Sequence, residues 1–384
     1  PWLVAAQPTS MTDADKGALT RLQQHRADLE KQIASLPLSS KVYAVVTEVP
    51  PPVKVLKRGD PEQPTEVVVP TSLACVTGLK PELGTVESSD GERRQAFADW
   101  VTSPANPLTR RVIVNRLWHY HFGAGLVETP SDFGLGGSPP SHPELLDWLA
   151  DELLAQRWSL KAIHRVICTS AAYRQQSKVD GSGLGVEGDR KSSTSRSPLT
   201  LDANNRLLWR MNPRRLDAES LRDAVLAVSG KLNQTQFGPG YRDFEYQEEY
   251  APVYRYITPD SPDLWRRSVY RFVVRTTTHQ FLTTLDCPSP ANLVPARNVT
   301  TTALQSLALL NNDFMLKQSE YLSERLKTEA GDEPMQQANR AFELAFGRRA
   351  SANESAAAVR LIQSRGLPQL CRMLLNSNEF VYVD

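Results

Sequence analysis

The sequence predicts a mainly α-helical protein, a multi-helical domain with a small β-containing N-terminal extension. Three observations carry that expectation. From Arg93 onward apolar residues recur at helical spacing, residues that cap helices stand at the ends of those runs, and Val, Thr and Pro concentrate between Val42 and Val69. The expected organisation is a helical arm or linker over 1–41, a Pro-rich extension with short strands over 42–92, and a multi-helical C-terminal domain over 93–384. A flexible insert at 178–198 interrupts that domain.

In chain order, residues 16–36 form a charged helix whose Leu19, Leu22, Leu29, Ile33 and Leu36 make an apolar stripe, stopped by Pro37, and its expected role is an arm packed on another element. Short strands follow at Val42–Val46 and Glu66–Val69. Arg110–His121 has helical spacing. Ser141 and Glu144 are spaced as a capping box, with Leu145, Trp148, Leu149 and Leu153 on one face of the helix they open. Ser159 starts a helix that buries Leu160, Ile163, Ile167 and Ala171. Asp217 is an N-cap with Leu216 and Leu221 as hydrophobic staple and Gly230 as the stop. Thr302 with Gln305 opens the helix Ala303–Leu310, Ser351 with Glu354 opens another after Gly347 ends its predecessor, and Leu367–Leu375 is a final apolar helix before Phe380–Val383. Residues 237–270, aromatic and irregular, are expected to cover one end of the helical body.

The chain has 384 residues with 44 Lys+Arg against 43 Asp+Glu, a formal charge of +1. A nucleic-acid binder carries a clustered basic excess and a membrane anchor a polybasic run, so the balance argues against both. No stretch approaches the ~20 apolar residues of a membrane span. Pro1–Ala6 has neither a basic n-region nor a long apolar core, and the chain reads as a processed or excised piece. Cys75, Cys168, Cys287 and Cys371 contain no C-x-x-C and no C-x-x-C-H, which leaves no zinc ribbon, redox pair or haem c attachment. Cys168 and Cys371 lie in apolar helical runs, where a buried free thiol is expected.

Several strings look like motifs. Gly183–Gly188 satisfies G-x-G-x-x-G, but Ser, Gly and Lys flank it where a strand and a helix are required, so it reads as linker. Arg58-Gly59-Asp60-Pro61 reads first as a turn. His119 and His121 share a face only on a strand, and the spacing around them is helical, so a joint metal site is not expected. That leaves His121, Asp132 and His142 as a candidate catalytic set, or a three-ligand metal site, if the loop after the helix folds back. The competing reading has them satisfying backbone groups in a glycine-rich loop and a cap. Arg206 and Arg215 are candidate anion-binding residues within an arginine-rich stretch, against internal ion pairs to Asp202, Asp217, Glu219 and Asp223. No G-x-S-x-G, H-E-x-x-H or P-loop string occurs.

A set of separated motifs agrees in order with one family. They include Asn106-Pro107-Leu108-Thr109, Val114-Asn115-Arg116-Leu117-Trp118, His121-Phe122-Gly123, Asp132-Phe133-Gly134 and His142-Pro143-Glu144-Leu145-Leu146-Asp147-Trp148. They continue through Tyr173-Arg174-Gln175, Asn205-Arg206-Leu207-Leu208-Trp209, Arg215-Leu216-Asp217-Ala218-Glu219 and Leu374-Leu375-Asn376-Ser377-Asn378-Glu379-Phe380. The chain from about residue 42 to its end resembles the C-terminal domain of unknown function of planctomycete cytochrome-c-type proteins. The resemblance implies an extracytoplasmic module of a larger protein whose haem c sits in a separate N-terminal module, with no cofactor or metal in this chain. It also implies a partner in that haem-containing domain and, because members of the family are often encoded near sulfatase-like proteins, a role in processing polysaccharide with a glycan as a further partner. Two functions stand open: a docking or interaction domain that works with the haem module, and an enzyme on anionic, sulfated polysaccharide. In the second, His121 or His142 is acid or base, Asp132 the orienter, and Arg206 or Arg215 the anion clamp.

Overall fold

Helix boundaries in this protein follow its capping chemistry closely. The computed structural model describes residues 12–35, 44–177, 201–258 and 260–383. Among them are thirteen α-helices and six short strands, a mainly α fold. Leu36, the first residues of the strand expected at Val42, and the insert 178–198 with its G-x-G-x-x-G string lie outside the described residues.

The chain divides into Pro1–Trp100 and Val101–Asp384. In the first unit, helix α1 (Asp13–Ser35) opens with acids in its first turn and buries no residue. Leu19, Leu22, Leu29 and Ile33 are all exposed along it. Strands β1 (Lys54–Leu56) and β2 (Pro64–Val67) pair antiparallel. Residues 44–46 are not in a strand, which corrects the expectation for Val42–Val46. Proline after proline from Pro50 deprives that approach of ladder donors, and pairing starts only beyond them. Arg58-Gly59-Asp60 is a turn, with Arg58 at φ 51 and Asp60 N donating to Lys57 O. Helix α2 (Asp90–Thr102) ends this region.

The second unit holds two hydrophobic cores. The first joins helices α3 (Pro107–Phe122), α4 (Pro143–Ala155) and α5 (Leu160–Thr169), with Val114, Phe122, Leu149, Leu153, Ile163 and Ile167 inside. Asn106 caps α3 by accepting from Leu108 N, and Pro107 supplies the fixed φ that a first helical residue needs. Gly123, at φ 84, ends α3 in the left-handed conformation. Two ion pairs, Arg110–Asp151 at 2.9 Å and Arg111–Asp147 at 2.6 Å, tie α3 to α4.

Helix α4 departs from expectation. Its N-cap is His142 and carries no side-chain capping bond, so the Ser141–Glu144 box does not form. Pro143 causes this: proline takes the first helical position, which moves the cap one residue past Ser141. The buried face is accordingly Leu146, Leu149, Ala150 and Leu153, while Trp148 is exposed. On α5 the Ser159 cap forms, with its hydroxyl accepting from Ala162 N, and Ile163 and Ile167 are buried. Leu160 is exposed, and Ala171 lies beyond the end of the helix.

The second core collects α6 (Ala218–Val228), α7 (Gln280–Thr284), α8 (Ala303–Asn311), α9 (Asp313–Ala330), α10 (Pro334–Phe346), α11 (Ala352–Arg365), α12 (Leu367–Leu375) and α13 (Asn378–Val381). The expected caps are present: Asp217 accepts from Ser220 N, and both capping boxes, Thr302–Gln305 and Ser351–Glu354, close. Gly347 ends α10 at φ 69. Strand β3 (Arg214–Arg215) pairs antiparallel with β6 (Tyr382–Val383), which ties the C-terminus to the segment between the cores. The aromatic stretch is more regular than expected. Strands β4 (Phe244–Gln247) and β5 (Val253–Tyr256) form a hairpin in which Phe244 faces Tyr256 and Tyr246 faces Tyr254.

Candidate functional site

A cleft of about 690 Å³ opens between the two cores. The C-terminal turn of α3 and Tyr173 form one wall, and Leu216, Leu285 and Tyr382 belong to the other. A seam between packed bodies is a common place for a ligand site, and this volume falls in the usual range of a few hundred to ~1,000 Å³.

Two consecutive arginines project into this region in different directions. Successive residues on a strand point to opposite sides, so pairing Arg214–Arg215 with Tyr382–Val383 sends the two guanidinium groups apart. Arg215 enters a saturated cluster. Its Nη2 donates to Asp286 Oδ2 at 2.7 Å and to Leu285 O, and its Nη1 donates to Gln305 Oε1 at 2.9 Å and to Thr300 O. Asp286 also accepts from the amide and hydroxyl of Thr300 and from Gln305 Nε2. Those bonds hold its carboxyl below the usual value even though burial pushes the other way.

Arg214 turns toward the end of α3, where its Cγ and Cδ lie 3.8 Å from the point a Cβ on Gly123 would occupy. Among the described residues its guanidinium has no hydrogen bond and no ion pair. Burial lowers its pKa, and Tyr173 and Asp217 oppose that shift only through space. The cleft's acids are already engaged, Asp286 by Arg215 and Asp217 by the α6 amide it caps. Arg297 is likewise paired, to Glu219 at 2.5 Å. One cation of this cleft is therefore uncompensated.

The histidines beside it are made less basic than a free imidazole. Burial, then Arg214, lowers the pKa of His119, whose Nδ1 is buried without a hydrogen-bond partner. Burial, then His164, then Arg214, lowers that of His121. His121 Nε2 stands 2.7 Å from His164 Nδ1, so one nitrogen donates and the other accepts. Its Nδ1 stands 3.9 Å from Cys168 Sγ. His164 and Cys168 are four apart on α5 and so share the face that meets α3. Both nitrogens of His121 are thus occupied, whereas among the described residues no hydrogen bond engages either ring nitrogen of His119.

The other residues singled out from sequence lie elsewhere. Asp132 Oδ1 accepts from Gly134 N at 2.8 Å, and its carbonyl accepts from Thr129 Oγ1, inside its own loop. Gly137 packs so closely there that a Cβ would come within 2.1 Å of Asp132 O. His142 Nδ1 pairs with Ser141 Oγ at 3.0 Å. Neither residue lines the cleft that His121 lines. Arg206 pairs with Glu128 at 2.9 Å, outside the cleft, and not with an acid of its own stretch. The three-ligand metal arrangement does not form: among the described residues no group of three His, Cys, Asp or Glu is placed to hold a metal ion. The four cysteines are unpaired, with Cys371 buried and Cys168 half-buried.

Sequence reasoning weighed His119 only as a metal partner of His121, passed over His164, and left Arg214 undistinguished within its arginine-rich stretch. A signal existed for the last: two adjacent arginines just before a helix cap, at a strand position, cannot both enter the same ion pair. Nothing in the sequence links His121 to His164, which meet only because α3 packs on α5.

The fold and the cleft define a helical domain with an arginine–histidine seam between two cores. A family model, PSD1, a protein family of unknown function (DUF1553), matches residues 93–362, and the chain belongs to that family. No curated protein and no solved structure matches it. Among the described residues no helix is long and apolar enough to cross a membrane.

Proposed function

We propose that this domain binds an anionic group of a larger ligand in the seam, with Arg214 as the counter-charge. One observation carries the reading: Arg214 is a half-buried guanidinium with no partner among the described residues, beside histidines too weakly basic to compete for the anion. Burying a charge without a partner is costly, and an incoming sulfate or carboxylate would recover that cost through charge-assisted bonds. The cleft's size suits one or two sugar units better than a lone ion. A sulfated or carboxylated glycan is the ligand class that also agrees with the family resemblance and with an extracytoplasmic setting.

If the domain carries out a reaction there, His119 is the acid or base, since among the described residues neither of its ring nitrogens has a hydrogen-bond partner, whereas both of His121 are engaged. That moves the catalytic role away from His121, Asp132 and His142. Calorimetry with a sulfated disaccharide tests the binding claim. Arg214→Met should weaken binding about tenfold or more, the worth of one charge-assisted bond. Equal affinities in the two proteins would reject it.

Docking to a haem-containing module is a second reading, favoured by the exposure of Tyr246 and Tyr250 on the β4–β5 hairpin. Clustered exposed aromatics are common interface anchors. A pull-down with the separately expressed haem module, using wild type and Tyr250→Ala, tests it. Capture that the substitution abolishes supports docking, and no capture by the wild type removes it.

A further inference from the structure

Helix α1 is 23 residues long and buries none of them. Its only large apolar side chains are Leu19, Leu22, Leu29 and Ile33, and all four are exposed. With Arg26 included, the intervals along this line alternate between three and four residues. Leu19, Arg26 and Ile33 thus take one core position of a seven-residue repeat, and Leu22 and Leu29 take the other. In the sequence the repeat runs on to Leu36. Ala18, Gln23, His25, Glu30 and Gln32 flank the line, so no further apolar residue of any size widens it.

The width of the line selects what covers it. A helix laid on a globular core presents an apolar face of ~100° or more, whereas a line confined to two positions in seven fits a second helix of the same kind. The charge on the line then selects the partner's direction. Two copies of α1 running the same way would bring Arg26 against Arg26 between them. Running in opposite directions about a centre between Ala27 and Asp28, they set Leu22 against Ile33 and Arg26 against Leu29, with Glu30 of the other copy beside the guanidinium. Arg26 Nε already bonds Glu30 Oε1 of its own helix at 2.8 Å, with both side chains mostly in solvent. The guanidinium has further N–H groups for a second carboxylate. An antiparallel pair therefore joins two arginines and two glutamates in alternation at its centre, where a parallel pair opposes like charges.

We propose that α1 is a self-association element that pairs antiparallel with α1 of a second copy of this chain, through Leu19, Leu22, Leu29 and Ile33. The pairing is independent of the cleft and of any anion bound there. So short a repeat, with a charge at one core position, should give a dimer that depends on concentration. Sedimentation equilibrium of the full chain, from micromolar to submillimolar and in reducing buffer because Cys75 is exposed, should show monomer and dimer in exchange. Leu22→Glu combined with Leu29→Glu should leave monomer throughout with an unchanged thermal midpoint, since neither side chain is buried. Arg26→Leu should tighten the dimer about tenfold or more, the worth of one buried leucine. In a mixture of light and heavy isotope-labelled chains, a short lysine cross-linker should join Lys16 of one copy to Lys31 of the other. A monomer at every concentration overturns the proposal. So does a dimer that survives the double substitution, or one whose cross-links join Lys16 to Lys16.

Discussion

The two ends of the seam contain similar side chains and differ in what the protein itself supplies to them. Around Arg215, both terminal nitrogens find two acceptors each: Asp286, Gln305 and two carbonyls surround the guanidinium. Around Arg214, one residue earlier, no acceptor arrives, and the neighbouring imidazoles are pushed toward their neutral forms. A saturated ion cluster has nothing to gain from a ligand and ties the β3–β6 pair to the segment between α7 and α8 and to the first turn of α8. An unsaturated one costs stability until something binds. Charge density alone therefore does not mark an arginine left open to a ligand; the count of its satisfied bonds does.

The contrast predicts unequal effects from similar substitutions. Arg215→Met should be the most damaging, because it strands Asp286 in a site where Arg215 is 6% exposed. Removing one partner of a buried pair costs about 3–5 kcal/mol, readable as a lowered urea midpoint. A loss below ~1 kcal/mol would mean that the cluster is no more than a surface pair.

Asn115→Ala comes next. Its amide donates to Val127 O at 3.0 Å and accepts from Val127 N at 2.8 Å, at a fully buried position beneath the seam. Loss of both bonds leaves two buried backbone groups unpaired and should cost about 2–4 kcal/mol in the same assay. Asp217→Ala, at the lip of the cleft, removes the α6 cap and a long, half-exposed 3.9 Å pair with Arg297, and should cost ~1 kcal/mol.

Arg214→Met should change stability least, by less than ~1 kcal/mol, since the wild-type guanidinium has no bond to lose. It should however alter the pH profile. Both histidines have folded pKa values below the ordinary histidine value of about 6.5. Their contribution to stability is complete above that value and is lost as pH falls from it toward the folded values, because the unfolded chain takes up protons first. Without Arg214 the depression lessens, so stability should fall less steeply over that interval. An unchanged slope in pH-dependent denaturation would show that the arginine and the histidines do not communicate.

What was legible in the sequence was local. Asp217, Thr302 with Gln305, Ser351 with Glu354, and Gly347 each act within one helical turn, and each forms the cap its spacing implies. The Ser141 box failed for an equally local reason, the proline at the first helical position, whose precedence over a serine cap the spacing alone does not reveal. Site composition was long-range. Arg214 differs from Arg215 only because a strand from the far end of the chain pairs beside them. His121 acquires its partner from α5. Even the aromatic hairpin followed this rule, since the facing of Phe244 and Tyr256 depends on a turn that composition did not disclose.

The most direct test of the central claim is where an anion goes. Crystals of the full chain soaked in selenate, with anomalous differences measured at the selenium edge, should show a peak within hydrogen-bond reach of the Arg214 guanidinium and none at Arg215. A peak at Arg215 or Arg297 with none at Arg214, or no ordered anion in the seam at all, would contradict the account.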